Sequence, residues 1–185
     1  MRARVVLLVL LGAAAAVLLL WALLGPTSRV PQSGPEPAPL PTPTPAPKRQ
    51  AVLLYPGSDG LLHPEIVPLS LPDEQENRVR VLVSRLLQPS PAGRPPVAPY
   101  PAMLTDVFVR EGKIAYVDFT APENPLAGCG NEVPFVYAVV DTILLNCPDL
   151  RAVQLLFGDR EVETLTGHLD LSGPLPLNKR LIAPS

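Results

Sequence analysis

In NEVPFVYAVVDTILLNCP, residues 131–148, apolar and polar residues follow each other with a period that belongs to one kind of element only. Val133, Val136, Val140, Ile143, Leu144 and Cys147 recur at spacings of three and four, which builds one apolar face of an α-helix and not the alternation of a strand. Asn131 supplies a capping side chain, and Pro134 fits the first turn, where amide groups have no intrahelical acceptor. Pro148 stops the helix, so it is expected over Glu132 to Cys147.

Working outward, Ala152 to Phe157 reads as a strand that turns at Gly158-Asp159 into a second strand, Glu161 to Leu165. On the other side, Leu104–Arg110 and Ile114–Phe119 form a hairpin around Glu111-Gly112, preceded by a proline-rich loop from Pro89 to Pro101. A further helix is expected over Asp73 to Gln88, capped by Asp73 with Glu76 three residues on, and buried through Val79, Leu82, Val83 and Leu86. Ala51–Tyr55 is a first strand. Leu61–Leu71 is extended, but Pro64 and Pro68 confine it to an edge or a loop. The core order is helix, strand, strand, helix, strand: an α+β single domain with both helices on one face of a mostly antiparallel sheet.

A two-residue turn would set Val107 opposite Tyr116 and Val109 opposite Ile114, with Phe108 and Ala115 on the other face. Both faces are partly apolar, and the pattern alone does not say which meets the helices. Val107, Val109, Ile114 and Tyr116 are the candidate partner surface.

The flanks are of a different kind. Val5 to Leu24 carries no charge, and 20 such residues in a helix rise about 30 Å, enough to cross a bilayer core. Arg2 and Arg4 precede it, which places the N-terminus in the cytoplasm and the rest outside. A cleaved signal peptide would have a shorter apolar region and a small-x-small site, whereas this run ends Trp21-Ala22-Leu23-Leu24-Gly25. The expected layout is an anchor over residues 1–25, a linker over 26–50 and a domain over 51–185. In the linker every second residue from Pro35 to Pro47 is proline, so it is expected as polyproline II reaching roughly 70 Å from the membrane. The domain itself holds 10 Lys and Arg against 16 Asp and Glu. That acidity argues against nucleic acid and anionic lipid as partners.

GHLDLS, residues 167–172, places a histidine, an aspartate and a serine at every second position. In an extended chain the leucines point inward, and the Cα atoms of His168 and Ser172 stand about 13 Å apart. A nucleophile and its base need contact within about 3 Å, so the segment cannot form a triad alone. His168 is expected to bond to Asp170 or to a backbone carbonyl and so fix the path of the chain after Gly167. Leu169 and Leu171 hold it to the core.

The two cysteines would lie roughly 25 Å apart across the second helix, too far for a disulfide. Cys147 reads as a core residue, and Cys129, between two glycines, as a thiol able to link two chains. His63 and His168 have no second His or Cys in ligand spacing, and no phosphate-binding loop or nucleophile elbow is present in the domain. No metal or cofactor is expected. Asp118 and Asp141 are the one pair of carboxylates that a glycan hydrolase reading would use, although Asp118 reads as a strand end and Asp141 as the polar edge of the helix.

Tyr55-Pro56 followed by Asp59-Gly60-Leu61-Leu62, then Tyr116-Val-Asp-Phe119, Tyr137-Ala-Val-Val-Asp-Thr-Ile143 and Val153 to Leu171 together resemble the sporulation and spore germination domain family, GerMN. Asp141 stands where the family usually has Asn, and Cys129 with Pro134 departs from a segment that is usually small and polar. The resemblance implies a membrane-anchored or lipoprotein envelope protein, with a fold similar to the ring-building motif of secretion and sporulation assemblies and no known active site. The expected role is a non-enzymatic binding or assembly module, with an envelope protein partner, self-association or peptidoglycan contact. The alternative is a wall-glycan hydrolase using scattered carboxylates.

Overall fold

The structure, a computed structural model, describes residues 48–184 apart from Pro96, Pro99, Gly112 and residues 122–131. The expected anchor, most of the linker, Asn131 and Cys129 lie outside the described residues. Among those described, no helix is long and apolar enough to cross a membrane.

The chain runs β1 (Lys48–Pro56), β2 (Leu62–Ser70), α1 (Gln75–Leu86), β3 (Leu104–Arg110), β4 (Ile114–Phe119), α2 (Glu132–Asn146), β5 (Ala152–Phe157) and a short 3-10 turn (Lys179–Leu181). Helix, strand, strand, helix, strand from α1 to β5 is the expected order. The strands form two sheets, an antiparallel β1–β2 pair and a three-stranded β3–β4–β5 sheet. In the larger sheet β4 pairs antiparallel with β3 and parallel with β5, α2 making the crossover. The first strand starts at Lys48, because Lys48, Arg49 and Gln50 pair with Ser70, Leu69 and Pro68.

α1 buries Val79, Leu82, Val83 and Leu86 as its periodicity requires. Its start differs from the sequence reading. Glu74 is the flanking residue and makes no side-chain cap, since Asp73 pairs with Arg49 at 3.1 Å and Glu76 reaches across to β3.

α2 is buried well beyond one stripe: Phe135, Ala138, Val139, Asp141 and Thr142 are buried too, while Val133 is only half-buried. Layers on several sides explain this. Phe135 meets Phe119 of the large sheet edge-on at 5.6 Å. On another side β1 presents its outward backbone groups to the helix: Val52 N–H donates to Asn146 Oδ1 (3.0 Å) and Leu54 N–H to Thr142 Oγ1 (3.0 Å). The C-terminal segment adds a third contact through Asn178. A helix covered on this many sides is apolar nearly all round.

The hairpin loop has three residues, Glu111 to Lys113, with Lys113 in the left-handed region (φ 64°), so Val107 faces Val117, Val109 faces Ala115 and Phe108 faces Tyr116. One extra loop residue shifts the register by one and moves side chains between faces. Val107 and Val109 therefore lie on the helix side with Ala115 and Val117, and Val107 is buried. Ile114 and Tyr116 share the opposite face with Phe108. The expected partner surface thus divides between the two faces, and Val107 is not available to a partner.

The second hairpin does not form. Gly158 and Asp159 both adopt positive φ (63° and 62°) and turn the chain, but residues 161–165 leave the sheet. The slot beside β5 is filled instead by Leu175, which exchanges two backbone hydrogen bonds with Val153 (2.9 and 2.8 Å). From there the chain crosses α2 at Asn178 and reaches β2, where Ala183 N–H donates to Leu62 O at 2.9 Å.

At the β1–β2 turn, Leu61 N–H and the His63 ring both bond to Asp59, and a Cβ on Gly57 would lie 2.5 Å from the His63 ring. Gly57→Ala is expected to push aside the His63 ring and the Asp59 carboxyl and to cost about 1 kcal/mol, the scale of the hydrogen bonding between them. Urea melts should show part of that loss recovered in the double variant with His63→Ala; additive losses would sink the contact as the cause.

Candidate functional site

Along GHLDLS, Leu171 is buried and Leu169 half-buried, while His168, Asp170 and Ser172 are exposed, which is the expected alternation. The three polar residues do not form a triad. Ser172 Oγ and N–H both donate to Asp170 Oδ1 (2.5 and 3.0 Å) and hold its carboxyl below the usual range. His168 bonds to neither Asp170 nor a carbonyl: its Nδ1 lies 2.8 Å from Thr166 Oγ1, and its backbone N–H donates to Glu132 Oε2 at 2.9 Å.

Glu132, in the first turn of α2, organises the whole loop and is 1% exposed. Its Oε1 accepts from Thr164 Oγ1 (2.7 Å) and Leu165 N–H (2.7 Å), and its Oε2 from Thr166 Oγ1 (2.6 Å) and His168 N–H. Burial alone would raise the carboxyl, but these four donors prevail and hold it down to about 2. Since Thr166 gives its single proton to Glu132, it can only accept from the imidazole. His168 Nδ1 is therefore the donor in this pair. The imidazole Nδ1 stands 3.7 Å from Glu132 Oε2. The loop borders an open depression of about 500 Å³ lined by Glu163, His168, Asp170 and Ser172 among others. Behind it, buried Gln154 donates to Leu171 O at 2.9 Å and ties the segment to β5.

Asp118 is buried on β4, accepting from Thr105 Oγ1 and, at 3.1 Å, from Asp159 N–H. Asp141 is not at a polar edge. It is fully buried, Oδ1 accepts from Asn178 N–H at 2.9 Å, Oδ2 has no partner, and burial pushes its carboxyl up to about 6. Each carboxylate is spent on holding a loop or the tail. His63 pairs with Asp59, both oxygens at 3.0 Å, a spacing of four that the sequence reading passed over. Cys147 is a buried free thiol at the end of α2, as expected, and burial raises it. The Phe108 and Tyr116 rings stack at 5.0 Å and 8° on the sheet face away from the helices.

Residues 53–163 match the profile of the Germane family, described as sporulation and spore germination. The chain belongs to this GerMN family. The match ends before GHLDLS, so the Glu132 loop lies partly beyond the shared profile. Among curated proteins none matches. In fold, the domain is similar to a Clostridium perfringens protein described as a lipoprotein: TM-score 0.50, 20% identity, 74% of this chain and 94% of that one. It is also similar to the tandem GerMN domains of the Bacillus subtilis sporulation protein GerM, with TM-score 0.48 and 20% identity over 71% of this chain and 45% of that one. The first of those domains alone gives 0.47 and 19% over 70% and 94%.

Sequence reasoning missed Glu132 as the loop's centre. The available signal was two threonines at 164 and 166 beside a glycine turn: a row of hydroxyl and amide donors without an acceptor of its own.

Proposed function

We propose that the chain is a cell-envelope protein whose GerMN domain, held outside the cytoplasm by the N-terminal apolar segment, serves as a non-enzymatic binding or assembly module. One observation carries this reading: the polar groups that would make a hydrolase are committed to internal hydrogen bonds. Ser172 donates to Asp170, the carboxylate of Glu132 is filled by four donors, and Asp118 and Asp141 hold Asp159 and Asn178. Asp141 Oδ2 is without a partner but fully buried, and a general base must reach its substrate. The Germane match and the lipoprotein description of the C. perfringens neighbour support an envelope setting.

In-cell crosslinking of the membrane-anchored chain, read by mass spectrometry, should recover a second copy or an envelope protein. Purified protein that released muropeptides from peptidoglycan, and lost that activity in a folded Asp118→Asn variant, would replace this reading with the hydrolase.

A further inference from the structure

Resting on that reading, we infer that the hairpin end of the three-stranded sheet is a binding site for an anionic glycan. Arg110, Lys113 and Arg151 stand on adjoining backbone there: Arg110 pairs with Ile114, Ile114 pairs with Ala152, and Arg151 N–H donates to Lys113 O at 2.8 Å. All three side chains are exposed, and none forms an ion pair among the described residues. Glu111 and Asp149 stand in the same loops, so the corner is net cationic on a domain with 10 basic against 16 acidic residues. Beside it the Arg110 guanidinium lies over the Phe108 ring at 5.1 Å, and Phe108 stacks on Tyr116. A guanidinium beside half-buried aromatic rings suits a sugar ring that carries a carboxylate or phosphate, the sugar meeting Tyr116, which Phe108 backs, and the acid group meeting Arg110.

The same surroundings argue against two other occupants. An extended peptide would add to the free edge of β3, but its outward N–H groups are already bonded, Val107 to Asp106 Oδ1 and Val109 to Glu76 Oε1, each at 2.8 Å. A membrane surface would call for exposed large apolar side chains, and those of the described residues, Ile66, Met103 and Leu145, lie elsewhere.

The full chain, held in phosphatidylcholine nanodiscs, can be titrated with a size-defined oligogalacturonate, with neutral chitohexaose, and against phosphatidylglycerol vesicles. Oligogalacturonate should bind, more weakly as salt rises, and more tightly than chitohexaose. The Arg110→Ala/Lys113→Ala/Arg151→Ala variant should lose about tenfold or more in affinity, a change of about 1.4 kcal/mol. Phe108→Leu, which keeps apolar packing, should also weaken binding, while Arg180→Ala on the 3-10 turn should not. The inference is overturned by equal binding of the triple variant, equal binding of chitohexaose, no binding of either oligosaccharide, or capture by phosphatidylglycerol vesicles alone. A protein partner crosslinked at another face, with no oligosaccharide bound, removes the glycan site and leaves the assembly module standing.

Discussion

Replacing Glu132 with alanine is expected to lower the unfolding free energy by about 3–5 kcal/mol, the range for removing one partner of a buried charged network. Four donors lose their acceptor at once: the Thr164 and Thr166 hydroxyls and the Leu165 and His168 backbone N–H groups. Each donor that stays buried and unpaired costs about 1–3 kcal/mol, so the total depends on how far the loop opens to water. Glu132→Gln should lose less, because the amide keeps one oxygen acceptor. Urea melts should rank wild type, Glu132→Gln and Glu132→Ala in that order. Glu132→Ala melting like wild type would show that the loop holds itself. The pH dependence provides a second check. The folded carboxyl sits at about 2 against an ordinary 4.5, so its contribution is complete above about pH 4.5 and is lost as pH falls toward 2. The shift corresponds to about 3 kcal/mol.

Asp141→Asn is expected to raise stability at pH 7 by as much as about 3 kcal/mol. The wild-type carboxyl is fully buried, with one unpartnered oxygen, and lies at about 6 instead of 3.8. A raised folded value means that the fold prefers the protonated acid. The stability this provides is complete below about pH 4 and lost as pH rises through about 6, leaving at neutral pH a penalty of about 3 kcal/mol. Asparagine keeps an oxygen for Asn178 N–H and carries no charge at any pH. Glu132 and Asp141 therefore slope in opposite directions, and wild-type stability should peak between about pH 4 and 5. In Asp141→Asn the decline above pH 5 should flatten. Thermal melts across pH 3 to 8 would reveal this, and parallel profiles for the two proteins would rule out Asp141 as the source.

Elements whose signals are local were legible in the sequence. The three-and-four spacing of Val79, Leu82, Val83 and Leu86 gave α1, that of Val136, Val140 and Ile143 gave α2, and Pro64 and Pro68 confined β2 to an edge where missing N–H groups are harmless. The sequence also showed that the histidine and serine of GHLDLS cannot meet as base and nucleophile, because Cα atoms four positions apart on an extended chain stand about 13 Å apart.

Tertiary structure decided what depends on closure between distant residues. One added loop residue, Lys113 in the left-handed region, set which hairpin face meets the helices. Occupation of the β5 edge by Leu175 turned an expected strand, residues 161–165, into the loop around Glu132. Glu132 and its donors lie 32 to 36 residues apart, and Asp141 and Asn178 lie 37 apart. Periodicity reports which side of its own element a residue takes. It carries no information about which distant backbone N–H will arrive there, and that arrival turned a first-turn glutamate into the centre of the loop and a helix aspartate into a buried acid.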